Sequence, residues 1–414
     1  MPWRTTRTLI DVSEDTGDDD MKWHFGSLDV GSFLQEFRKK SIVYNETKKH
    51  KELSLARILS IHHVYYFPLD KDKSCVAYLP EADAVNEVYD GLRIDPVILP
   101  VDVVLWATDI QQAIETGDRF VMEKEFGSLL MKSSESKKDN LVDTAHVLIS
   151  LTRMMLAHKK VPKRGAEDTF VHRFVAPLID NVFYGDKFGS YWANTQLGCT
   201  TVKTSVGSLP SRAMPLSSSS ASSPAPSSAS SSSPVPASQQ LLACQKLQPD
   251  FTLYSSLFGH RLDLFVVEIK PPQSSLAMAD FVKLTKEMMN MVNRLALLHV
   301  TAPRVFGLWV DGYHCQTYMM DTHYHSMYRM IELDTFDLPK VLDDLPKIRS
   351  VMQKLMKVKS LLDATVLDID RLIRKRKSSS QACNSSSTSS PPQSHWIKTP
   401  LNDRKVKKEK RSVK

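Results

Sequence analysis

The chain has 414 residues, more than one hydrophobic core usually serves, so two folded units are the starting expectation. Hydrophobic residues at 42% and charged residues at 24% are ordinary for a globular protein and exclude a wholly disordered, collagenous or coiled-coil chain. The net charge of +7 is unevenly spread: residues 374–414 carry twelve Lys/Arg against Asp403 and Glu409, which leaves −3 for residues 1–373. Basicity is therefore a property of the tail.

The five cysteines, Cys75, Cys199, Cys244, Cys315 and Cys383, are odd in number and far apart, with no C-x-x-C spacing. That pattern indicates neither a disulfide framework nor a thiolate zinc site, and it suits a reducing compartment. No stretch approaches the ~20 apolar residues a membrane helix needs. The best candidate, Pro96 to Ala107, is interrupted by Pro100 and Asp102, so no membrane association is expected. Residues 1–21 have two early arginines but no apolar run, and they turn acidic. Neither secretion nor organelle import by an amino-terminal leader is expected, and the segment reads as disordered.

Residues 22–160 read as a mostly helical module. Apolar residues recur at helical spacing in Val30-Phe33-Leu34-Phe37, in Leu53-Leu55-Ile58-Leu59 and in Leu141-Ala145-Leu148-Leu151-Met155. Short β-like runs at Cys75 to Leu79 and Val97 to Leu99 interrupt the helices, and no constellation of catalytic residues stands out. From residue 165 the pattern changes. A helix carries Phe170, Phe174, Leu178, Ile179 and Phe183, with Pro177 expected to bend it. Tyr191 to Gln196 reads as a strand. Ser208 to Gln240 then holds fifteen serines, six prolines and one charge, Arg212. Such a segment buries too little apolar area to offset its ordering entropy and is expected to be a flexible insert.

Phe251 to Tyr254 and Leu262 to Lys270 read as paired strands around Gly259. A helix from about Leu276 to His299 follows the double proline, then a buried strand from Val305 to Val310. Asp311-Gly312 is a type I′ hairpin signal leading into Tyr313 to Met320. Met327 to Leu333 is expected as an edge strand, and leucine spacing from Pro339 through Leu372 predicts one or two closing helices. Residues 374–414 read as a disordered basic tail with clusters at 374–377 and 404–411. Such clusters are expected to engage import machinery and carry the protein to the nucleus, or to contact nucleic acid.

The strand Leu262 to Val267 is apolar on both faces, as a central covered strand must be, and ends in Glu268-Ile269-Lys270. Glu268 and Lys270 project from one face, and burying either charge without a partner costs several kcal/mol. Pairing the strands symmetrically about Gly259 sets Asp250 opposite Glu268, with Cβ atoms ~5 Å apart. Two carboxylates so close repel unless one is protonated or a cation lies between them.

Pro249-Asp250 followed by Glu268-Ile269-Lys270, in the order helix, strand, strand, strand, helix, strand, resembles the PD-(D/E)XK nuclease superfamily. The likeness covers about residues 165–311. As a whole the chain is also similar to nuclease-like proteins expanded in some fungal genomes. The resemblance implies an α+β, restriction-endonuclease-like core (α-β-β-β-α-β) over 165–373, behind the helical module. It implies that Asp250, Glu268 and the Ile269 carbonyl hold Mg²⁺, with Mn²⁺ as a substitute, and that Lys270 orients the attacking water. Glu167 matches the family's first-helix glutamate, with Asp168 as a competitor. The implied substrate is nucleic acid, with DNA expected. The insert between the first two strands departs from the pattern, but each doubling of a loop costs only ~0.6 kcal/mol. A plainer reading also stands: a Glu-Lys pair closing a sheet end, Asp250 serving a turn, and Glu167 favoured in a first helical turn by the macrodipole. A scaffold that has lost turnover is the functional alternative. His314, Cys315, His323 and His325 fit no zinc spacing and are expected on a hairpin surface. Lys283, Lys286 and Arg294 are read as a solvated helix face or phosphate contacts.

Overall fold

The computed structural model describes residues 23–25, 28–47, 53–79, 82–157, 167–183, 185, 187–192, 247–257, 260–274, 277–324, 327–379 and 397–398. Residues 1–21, the insert at 208–240 and the cluster at 404–411 lie outside them. The fold is α+β, built on one mixed seven-stranded sheet.

The N-terminal module is helical, as its periodicity predicts. Its main helices are α1 (Val30–Thr47), α2 (Leu55–Ile61), α3 (Ala82–Leu92), α4 (Asp102–Glu115), α5 (Arg119–Glu135) and α6 (Asp139–Ala157), with a minimal hairpin of β1 (His24–Phe25) and β2 (Leu28–Asp29) ahead of them. Among the helices runs a strand the sequence reading missed, β3 (Val64–Phe67), all four residues of which are buried. The β-like run at Cys75 to Leu79 instead forms a short 3₁₀ turn, Cys75–Tyr78.

Next come α7 (Glu167–Phe170), a π-helical turn (Val171–Val175) and α8 (Ala176–Val182). The π turn precedes Pro177 at the start of α8, where a missing backbone N–H and a local change of helix geometry are tolerated together. After β4 (Gly189–Trp192), β5 (Phe251–Leu257) and β6 (His260–Lys270), helix α9 (Ala277–Leu297) leads to β7 (Arg304–Asp311), β8 (His314–Tyr324) and β9 (Met327–Asp337). A 3₁₀ segment (Leu342–Lys347) and the long helix α10 (Ile348–Ser379) close the chain.

The strand order is β3-β9-β8-β7-β6-β5-β4. β4, β5 and β6 form an antiparallel meander, and β7 lies parallel to β6 after the α9 crossover. β8 and β9 continue antiparallel, and β3 pairs parallel to β9. β9 is therefore not an edge strand; β3 covers its outer side. The β7–β8 turn also differs by one residue from expectation. Asp311 pairs with His314, so Gly312 is the first central residue, with φ of 61°, the position a type II′ turn reserves for glycine. Cys315 lies buried in β8 and not on a hairpin surface.

Helices cover both faces. On one, Phe281 of α9 meets Trp309 of β7 at 5.9 Å between ring centroids and Tyr66 of β3 at 5.9 Å. On the other, Phe183 after α8 meets Phe265 of β6 at 4.9 Å. Glycine at 307 permits this close packing, because a Cβ there would stand 2.6 Å from the Met288 sulfur of α9. One apolar cluster runs from Trp23 through β3, the sheet and α9 to Ile369. The tail expected to be disordered from residue 374 begins as helix, since α10 continues to Ser379. No helix among the described residues is long and apolar enough to cross a membrane.

Because β3 and the N-terminal helices share this core, residues 158–414 expressed alone should not fold independently. The expected outcome is an aggregating product with no cooperative melt, since the fragment bares the β9 edge and the Tyr66 side of the core. A soluble fragment with a sharp calorimetric transition would contradict that.

Candidate functional site

The β5–β6 hairpin determines whether Asp250 can reach Glu268. At the turn end Leu257 pairs with His260, so the connection centres half a residue before Gly259. A register shift between Leu253 and Tyr254 then moves the ladder, and beyond it Leu253 pairs with Phe265 and Phe251 with Val267. A β-bulge thus restores the register that symmetry about Gly259 would impose. One step further along the same register, Asp250 comes opposite Glu268. Asp250 Oδ2 accepts a hydrogen bond from the Ile269 backbone N–H at 2.7 Å. N–H and C=O of one strand residue point to the same side, so the Ile269 carbonyl also faces the β5 side of the strand.

Glu268 is 1% exposed, and its Oε1 lies 2.6 Å from Lys283 Nζ on α9. Lys283 also donates to the Gln248 carbonyl at 2.6 Å and lies 3.8 Å from Glu287, whose side chain is fully buried. The Glu287 carboxyl lies against that of Glu268, so the two buried acids share a hydrogen bond as well as the lysine. Burial, reinforced by the Asp250 charge, pushes Glu268 up to about 7 despite Lys283. Burial and then Glu268 raise Glu287 well above the usual carboxylate range. Asp250 is raised by burial and held back by the Ile269 N–H.

Lys270, at the end of β6, lies 3.1 Å from Asp280 Oδ2 and 4.0 Å from Glu167 Oε2. Burial alone would lower its pKa; Asp280, Glu167 and Asp250 outweigh that and keep it above the ordinary lysine value. Of the two acids opening α7, Glu167 is the one paired with Lys270, and burial raises its pKa against the pull of that lysine.

The structure thus brings Asp250, Glu268, Ile269, Lys270 and Glu167 to one end of the central strands. Sequence reasoning missed Asp280 and Glu287, and it read Lys283 as either solvated or a phosphate contact, not as a partner of Glu268. The signal was present: residues 280, 283 and 287 are spaced i, i+3, i+7 and share one helix face, on the side that also buries Leu284 and Met288. Arg294 is not on a solvated face either; it pairs with Asp263 at 2.8 Å, as Arg261 does at 2.7 Å. Lys286 is 7% exposed.

Around the site five acids, Asp250, Glu268, Glu287, Asp280 and Glu167, face two lysines, Lys270 and Lys283. An excess of acids over lysines and an all-oxygen donor set are the features a hard divalent cation would find here. Among the described residues no three His, Cys, Asp or Glu side chains are grouped closely enough to form a ready-made metal cage. Comparison with protein-family models, curated proteins and solved structures finds no match to this chain.

An acid whose folded pKa exceeds its unfolded one keeps its proton in the fold while the unfolded chain loses it. Glu268 should therefore cost the protein stability as pH rises from about 4.5 to about 7. Glu287→Gln, which removes the most deeply raised of these acids, is expected to raise the urea midpoint at pH 8, because the fold no longer has to keep a proton there that the unfolded chain gives up. At pH 4.5 the gain should vanish. An equal change at both pH values would show that the effect is one of packing and not of charge.

Proposed function

We propose that the protein is a divalent-metal-dependent phosphodiesterase of the PD-(D/E)XK type acting on nucleic acid, with DNA as the favoured substrate. The observation that carries this reading is the convergence of Asp250, Glu268 and Lys270 at the end of β5 and β6, with Ile269 bonded to Asp250 between them. The order of elements supports it too. A helix, an antiparallel meander of three strands, a crossover helix and a parallel fourth strand are what a restriction-endonuclease-like core requires.

In this reading Asp250, Glu268 and the Ile269 carbonyl hold Mg²⁺ or Mn²⁺. When bound, the cation activates water and neutralises charge at phosphorus. Lys270 is held in place by Asp280 and Glu167, and its ammonium orients the attacking water and stabilises negative charge on the phosphate. Lys283, released from Glu268, is left to pair with the substrate backbone. The basic clusters at 374–377 and 404–411 direct the protein to the nucleus. Replacing Lys405, Lys407, Lys408 and Lys410 by glutamine should shift a fluorescently tagged protein to the cytoplasm.

A second reading, a nuclease-like scaffold without turnover, is favoured by one observation: the Lys283 ammonium already occupies the space beside Glu268, at 2.6 Å. Cleavage assays and titration calorimetry separate the two. The purified chain should degrade DNA with Mg²⁺ or Mn²⁺, and chelation should stop it. Glu268→Ala should lose both cleavage and metal binding. Lys270→Ala should lose at least ~100-fold in rate while still binding Mn²⁺, since an ammonium is no metal ligand. Wild-type protein that neither binds Mn²⁺ nor cleaves single- or double-stranded substrates would establish the scaffold.

A further inference from the structure

On α9, three turns beyond the candidate site, a second polar constellation has no part in that chemistry. Tyr328 on β9 is fully buried, and its hydroxyl donates to Asn293 Oδ1 at 2.5 Å. Asn293 is 7% exposed, and its amide nitrogen remains as a donor. What this pair receives is a piece of the C-terminal tail. Lys398 N–H donates to Tyr328 Oη at 2.9 Å, and Asn293 Nδ2 donates to the Lys398 carbonyl at 3.0 Å. Both backbone groups of one residue are read at once, and Ile397 beside it is only 9% exposed. A buried Tyr–Asn pair would otherwise leave a lone pair and an N–H unsatisfied.

We propose that the Asn293–Tyr328 face is a peptide-docking site whose occupant is the chain's own segment around Ile397-Lys398. Recognition is by main-chain hydrogen bonds for affinity and by burial of one aliphatic side chain for choice of register, the division of labour used wherever an extended peptide is bound. Occupant and site belong to one chain, so docking is intramolecular and is driven by a high effective concentration.

Two measurements on the full chain test this. Ile397→Asp puts a charge where an apolar side chain is buried and alters no residue of the folded core. Trypsin should cut after Lys398 at least ten times faster in this variant than in wild type. A peptide spanning Ser394 to Asn402, added in trans, should bind the Ile397→Asp protein in a fluorescence-anisotropy titration and bind wild type at least ten times more weakly, because there the site is filled in cis. Equal cleavage rates in the two proteins, or a peptide that binds neither or both alike, would overturn the proposal. Neither readout depends on nuclease activity, so the outcome stands whatever the candidate site does.

Discussion

A strand buried on both faces that ends in two charges constrains everything packed around it. β6 runs through the middle of the sheet, with Leu264, Phe265, Val266 and Val267 fully buried, and then presents Glu268 and Lys270. Water cannot solvate the 1% exposed Glu268, so neighbouring elements must supply its partners. α9 answers with Lys283 for Glu268 and Asp280 for Lys270, three residues apart on one helix face. The approach of β5 answers with Asp250, and α7 with Glu167. The placement of four elements follows from satisfying one strand end.

The compensation is incomplete, and the sign of the imbalance matters. A purely structural ion-pair network would balance, because an unpaired buried carboxylate is costly. Here the acids outnumber the lysines, and burial together with mutual repulsion raises Glu268 and Glu287 far enough that protons stand in for missing positive charge. A site that must hold protons to exist near neutral pH is one that a cation would stabilise, which joins the folding energetics to the proposed chemistry. The two lysines are held differently. Lys270 is braced by two acids, whereas Lys283 competes for the carboxylate itself.

The sheet also ties distant parts of the chain together. β3, from the helical N-terminal stretch, completes the edge beside β9, and Tyr66 meets Phe281 of the same helix that carries Lys283. At the other end of that helix, Asn293 holds the C-terminal segment through Lys398. One helix, α9, thus joins the candidate site, the N-terminal module and the tail.

Much of this was legible in the sequence, for local reasons. Runs apolar on both faces marked β6 and β7, helical spacing marked α1, α6, α9 and α10, and the two-residue spacing of Glu268 and Lys270 put them on one face. Symmetry about Gly259 aligned Asp250 with Glu268, although the agreement rests on a bulge that no pattern announced; without it the turn register would have been off by one. Hidden from the sequence were the features that depend on which elements meet. β3 is four residues long and sits among helices, and its partner lies over 260 residues away. Lys283 and Glu287 look like an ordinary charged helix face until the helix is laid against β6. Most of the elements, and the residues at the end of the central strand, were readable along the chain, because periodicity and strand parity are properties of neighbouring residues. Which charges are paired and which are left in excess emerges from the assembled fold, because burial and counter-charge are set by residues brought together from across the chain.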